Sequence, residues 1–99
     1  MKLSITKSTA KNKRFKAVFE DKDFKKTINF GLKNPKIGTY IDHGDKEIKK
    51  NYIARHQVRE KKFYGSPLHA STLSRFVLWG DSSNLDESIR LFKKKFKLD

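Results

Sequence analysis

Ninety-nine residues with 24 Lys and Arg against 11 Asp and Glu carry a net charge of +13, and only 35% of the chain is hydrophobic. That length supplies one small core and leaves little room for a second domain. With no cysteine in the chain, a disulfide framework, a thiolate nucleophile and a cysteine-held zinc are all excluded. So positive a field attracts nucleic acid, anionic membrane or acidic protein, and it speeds encounter without fixing the partner's identity. The charge is uneven: +7 over residues 1–35, +4 over 36–64, −2 over 65–89 and +4 over 90–99. Met1-Lys2-Leu3-Ser4-Ile5-Thr6-Lys7 has no apolar stretch behind its charges, which argues against a cleaved signal peptide. No run approaches a transmembrane span, so the expected location is the cell interior, or a particle assembled there, and not the secreted space.

In chain order, Leu3 and Ile5 alternate as in a half-buried strand. The alternative for the polar, lysine-rich residues 1–12 is a flexible or partner-bound arm. Phe15, Ala17 and Phe19 fall on one face of a second strand by the period of two. Glu20-Asp21-Lys22-Asp23 is a turn, and a third strand follows with Phe24, Ile28 and Phe30 on one face. Lysines on the outward face of this meander protect its edges from aggregation. Asn34-Pro35-Lys36 and Ile37-Gly38 read as a loop, and Thr39-Tyr40-Ile41 as a brief strand.

A helix capped by Asp45 then runs to about Glu60, with Ile48, Tyr52 and His56 in an i, i+4, i+8 row. Gly65, Ser66 and Pro67 break it. Ser71 to Trp79 reads as a shorter, deeply buried helix that Gly80 ends in a left-handed conformation. Ser83-Asn84-Leu85-Asp86 offers a capping box for a last helix, whose apolar face is Leu85, Ile89, Phe92 and Phe96. Its acids lie in the first turn and its lysines in the last, matching the helix dipole. The expected fold is α+β: a small antiparallel sheet of about three strands, followed by about three helices packed on one core, in a single domain over residues 1–99.

Few residues suggest chemistry. His43 and Asp45, with His56 folded back from the helix, are candidate metal ligands, but no familiar zinc spacing is present. The plainer reading is that the aspartates organise a turn and cap a helix while a histidine ties down backbone. Arg55 is placed either to face phosphate or to pair with Asp42 or Asp45. No general base has an evident nucleophile, and the scattered glycines form no phosphate loop. No cofactor is expected.

The basic residues form two candidate footprints for an anionic partner. One is Lys11, Lys13, Arg14, Lys16, Lys25 and Lys26 in the strand region. The other is Arg90, Lys93, Lys94, Lys95 and Lys97 on the last helix. Contact with DNA or RNA there would carry no sequence preference.

The stretches TINFG, YIDHGDKEIKKNYIARHQVRE and PLHASTLSRFVLWGDSSNLDESIRLFKKKF together resemble a group of small basic proteins encoded by large DNA viruses of algae and protists. The matching positions are Phe30-Gly31, His43, Asp45, Tyr52, Arg55, His56, Leu73, Ser74, Arg75, Leu78 and Trp79, then Ser88, Ile89, Phe92, Lys93 and Phe96. The resemblance covers about residues 27–97. It implies a virus setting and no enzymatic activity. The protein would be a virion-associated or minor capsid-type structural protein that bridges capsid or other virion components through its basic surface. The alternative is a sequence-independent nucleic-acid binder, and a third reading is a metal-dependent enzyme at His43, Asp45 and His56. The resemblance gives His43, Asp45, Tyr52, Arg55, His56, Leu73, Arg75, Trp79, Ile89, Phe92 and Phe96 core or motif roles.

Overall fold

Alternation of apolar residues builds the first half of the molecule. The computed structural model describes residues 1–33, 36 and 38–99. Strands β1 (Lys2–Lys7), β2 (Lys13–Asp21) and β3 (Phe24–Leu32) form an antiparallel meander in the order β1-β2-β3. Register pairs Leu3 with Phe19, Ile5 with Ala17, and Phe15 with Phe30, so the apolar side chains share one face. Leu3, Phe15, Ala17, Phe19 and Phe30 are buried there. Lys2–Lys7 therefore joins the sheet instead of standing off as the arm considered for residues 1–12. The N–H of Leu3 donates to the carbonyl of Asp99 (3.0 Å) and the N–H of Asp99 to that of Met1 (2.9 Å), so the last residues lie along the start of β1. Phe24 corrects the expectation of an inner residue. It has the right parity, but it sits at the hairpin tip, 39% exposed.

The expected loop at Asn34-Pro35-Lys36 and Ile37-Gly38 falls largely on Asn34, Pro35 and Ile37, which lie outside the described residues. The brief strand expected at Thr39-Tyr40-Ile41 is instead the start of a helical turn, α1 (Tyr40–His43). The Asp42 carboxylate accepts from the Thr39 backbone N–H (2.7 Å) and hydroxyl (2.9 Å), and Gly44 closes the turn at φ +65°. Local capping thus outweighs the strand preference of a Thr-Tyr-Ile run. Helix α2 (Lys46–Glu60) starts as expected: Asp45 Oδ1 accepts from the N–H groups of Glu47 (2.9 Å) and Ile48 (3.1 Å). None of its residues is fully buried. It lies on the surface, with Ile48 and Tyr52 against the core.

Helix α3 (Ala70–Leu73) runs into a wider π turn over Ser74–Leu78, where the Trp79 N–H donates to the Ser74 carbonyl (3.1 Å). Two side chains satisfy carbonyls at the end of this segment, where the helix stops. The buried Ser88 hydroxyl donates to Val77 O (2.5 Å), and Arg75 donates to Trp79 O (2.8 Å). Gly80 is not left-handed, contrary to expectation: positive φ among the glycines is confined to Gly31, Gly38 and Gly44. Glycine is needed at position 80 for space, since a Cβ there would lie 2.2 Å from the Phe76 carbonyl oxygen. Helix α4 (Leu85–Phe96) is capped by Asn84, one residue later than the Ser83 expected, with Asn84 Oδ1 accepting from the Glu87 N–H (2.9 Å). Its inward residue Phe92 completes a core of Phe19, Phe30, Leu73, Val77 and Leu78. The layers run from sheet to α3 and its π turn, and then to α4.

Candidate functional site

The histidine and aspartate residues between α1 and α2 are spent locally. His43 Nδ1 accepts the Asp45 backbone N–H (2.9 Å), so the neutral ring carries its proton on Nε2. That Nε2 is buried and has no hydrogen-bond partner among the described residues. The His43 ring lies 5.6 Å from Trp79, and the Asp45 carboxylate caps α2.

His56 points elsewhere. It stacks on Tyr52 (4.1 Å, 22°), and Tyr52 stacks on Trp79 (4.1 Å, 8°), giving a three-ring ladder with His56 Nδ1 3.4 Å from Glu60 Oε2. Burial, reinforced by Glu60, pushes the Tyr52 hydroxyl up to about 12. His43, Asp45 and His56 therefore do not converge as the ligand set considered from sequence. Among the described residues no three His, Cys, Asp or Glu side chains are placed to hold a metal.

Arg14 and Asp42 form the principal ion pair of this region. The guanidinium donates from Nη1 and Nη2 to the two carboxylate oxygens at 2.7 and 2.6 Å, joining the start of β2 to α1. Arg14 is thus removed from the anion-binding footprint in which it was expected. Arg55, the other partner considered for Asp42, is exposed and makes no ion pair among the described residues. The Arg14 guanidinium, helped by the Thr39 N–H and hydroxyl, holds the Asp42 carboxyl well below its ordinary value of 3.8.

The sign of the resulting pH dependence follows from that depression. As pH falls, the unfolded chain takes up the proton first. The stabilisation is complete above the ordinary carboxylate value and is lost as pH falls below it toward the depressed one. With both side chains partly solvated, Asp42→Asn should cost about 1–2 kcal/mol at neutral pH. Urea midpoints of variant and wild type should converge in acid, and a gap unchanged by acid would contradict the pair's role.

The strand-region footprint is not one surface. Alternation puts Lys16 and Lys25 on the open face of the sheet, opposite in sense to Phe15, whereas Lys13 and Lys26 have the parity of Phe15 and Phe30. Lys11 stands in the β1–β2 turn. The α4 footprint holds together better. Arg90 and Lys94 follow at i and i+4 along its exposed side, with Lys93 half-buried beside them, and Lys97 stands just past its end in a left-handed conformation (φ +55°). Arg90 is bonded to Glu87 (2.9 and 2.5 Å), and Lys95 covers the Phe76 ring at 4.8 Å. Arg75, expected as a motif residue, packs over Phe76 while bonding Trp79.

Further basic residues, all but Arg55 outside the two footprints and candidates read from sequence, are spread around α2. Lys46, Lys50, Arg55, Arg59, Lys61 and Lys62 are exposed on and just after α2. Lys46 and Lys50 lie on the side of the helix away from the Ile48, Tyr52 and His56 row, whereas Arg55 and Arg59 flank that row beside His56. Among the described residues no helix is long and apolar enough to cross a membrane.

What the fold and its surfaces define is a small basic α+β domain, with most of its aromatics packed inward and its lysines outward. The chain belongs to DUF5754, a family of unknown function, whose model matches residues 3–56, from β1 through most of α2. No curated protein and no solved structure matches it.

Proposed function

We propose that this is a non-enzymatic structural protein of a viral particle, bridging capsid or other virion components through basic surfaces on two outer layers of the domain. The observation that carries the proposal is the division between aromatic and basic side chains. Phe15, Phe19, Phe30, Trp79 and Phe92 are buried. Lysines project from the open sheet face, at Lys16 and Lys25, and from the far side of α4, at Lys94 and Lys97. A domain charged on opposite layers suits contact with two acidic neighbours at once. The viral setting comes from the sequence resemblance.

A second reading, sequence-independent binding of nucleic acid, is favoured by the lysine-rich exposed side of α4. Because the exposed side of α4 carries no aromatic residue, such binding there would use phosphates and not stacked bases. Fluorescence anisotropy with two duplexes of unrelated sequence and with polyglutamate, between about 50 and 200 mM salt, tests both readings. The structural reading expects polyglutamate to bind with steep salt dependence. Salt-insensitive binding, or none, would contradict an electrostatic surface. Duplex binding with polyglutamate inert would favour the second reading over the first.

A further inference from the structure

We propose that the concavity beside the β1–β2 turn binds one nucleotide. Its phosphate would be held by Lys7, Lys13 and Lys33, and its organic part would rest on the half-buried Leu85, beside the edge of the buried Phe15. This rests on reading the basic surface as anion-binding, and it adds a discrete site to that surface. The cavity measures about 590 Å³ and is lined by those residues together with Arg14, within the range of small-molecule sites.

Three strand ends bring its cations together. Lys7 ends β1, Lys13 begins β2, and Lys33 follows β3. Among the described residues none that lines the cavity is acidic. Each of the other four surface concavities described includes a carboxylate: Asp81 in two, Glu60 in one, and Glu20 with Asp21 and Asp23 in another. Asp42, which pairs with Arg14, leaves the lysines uncompensated, and among the described residues none of the three makes an ion pair. Like charges gathered without a counter-charge repel, and a phosphate relieves that repulsion.

The frame is also held in place. The Ser8 N–H donates to Arg14 O (3.0 Å), the Lys33 N–H to Asn12 O (3.2 Å) and the Ser8 hydroxyl to Asn29 Oδ1 (2.6 Å). These bonds fix the backbone at all three strand ends before any ligand arrives, which lowers the ordering cost of binding. The half-buried Leu85, with the 8% exposed edge of Phe15 beside it and Arg14 over that ring at 5.0 Å, would be idle under a bare ion. That is why the assignment is a nucleotide and not inorganic phosphate.

The test is an amide NMR titration of the full chain with deoxyadenosine 5′-monophosphate and, separately, with inorganic phosphate. Saturable shifts confined to residues 7–15 and Lys33 are expected, with the nucleotide binding more tightly. Lys7→Gln/Lys33→Gln should weaken nucleotide binding at least about tenfold, by loss of two charge contacts, while Lys93→Gln/Lys94→Gln leaves it unchanged. A 5′-phosphorylated single strand that competes, while its 5′-hydroxyl counterpart does not, would place the nucleotide at a strand end. Lack of competition by either would assign the free nucleotide. Unsaturating shifts spread into α4, equal affinity for inorganic phosphate, or equal loss in both variants would overturn the site. If nucleotide binding fails while salt-dependent polyanion binding persists, the site alone is wrong. If nucleotide binding saturates while the extended polyanion surface fails, the site stands and the bridging reading falls.

Discussion

Gly80→Ala costs the domain about 3 kcal/mol and lowers its melting temperature by roughly 15 °C. The added methyl would sit 2.2 Å from the Phe76 carbonyl oxygen and 3.1 Å from Ser88 Oγ. The first is backbone and cannot swing aside. The second already donates to Val77 O at 2.5 Å, so moving it exposes a buried carbonyl. Relief of the first contact requires the backbone from Phe76 to Gly80 to rearrange, and relief of the second requires α4 to shift away, which opens the core around Phe92 and Val77. Gly65→Ala is the matched control: nothing lies within 4 Å of its built Cβ, so it should change stability by less than about 0.5 kcal/mol. Thermal melts of the two variants check this. Equal melting temperatures would mean that Gly80 is not held by close approach.

Charge reversal on α4 gives the other large effect. If phosphates lie along this helix, Lys93→Glu/Lys94→Glu/Lys95→Glu should lower affinity for duplex DNA on the order of a hundredfold, and flatten the slope of log affinity against log salt by roughly three. Each lost contact removes about one released counterion, and the new carboxylates add repulsion. The same change removes favourable charge from the end of the helix dipole, a cost of about 1 kcal/mol. That is small beside the Gly80 effect, so the domain stays folded and the loss is one of binding. The corresponding Gln variants separate missing attraction from added repulsion. Duplex affinity unaffected by the reversal would remove α4 as a footprint.

The elements legible in the sequence are those whose signal is local and periodic. Phe15, Ala17 and Phe19 alternate over β2, and Leu85, Ile89, Phe92 and Phe96 repeat along α4; both faces pack as their spacing requires. At Thr39-Tyr40-Ile41 one local signal opposed another: a β-branched and aromatic run reads as strand, but Thr39 with Asp42 three residues on is a helix cap. What stayed hidden depends on distant partners. The π turn at Ser74–Leu78 needs Ser88 from the next helix. Arg14 looked available for an anion until α1 brought Asp42, 28 residues away, onto it.

The candidate site divides in the same way. Spacing showed that His43, Asp45 and His56 are near one another in sequence. It did not show that backbone N–H groups and the Tyr52 ring already occupy them. Lys7 and Lys33 drew no attention because only the meander brings their strand ends together.

The bridging proposal is tested most directly by lysine-directed cross-linking and mass spectrometry on intact viral particles containing the protein. The account predicts cross-links from both outer layers, with Lys16 or Lys25 reaching one neighbouring virion protein and Lys94 or Lys97 reaching another. Absence of the protein from purified particles, or cross-links to other proteins from one layer only, would contradict it.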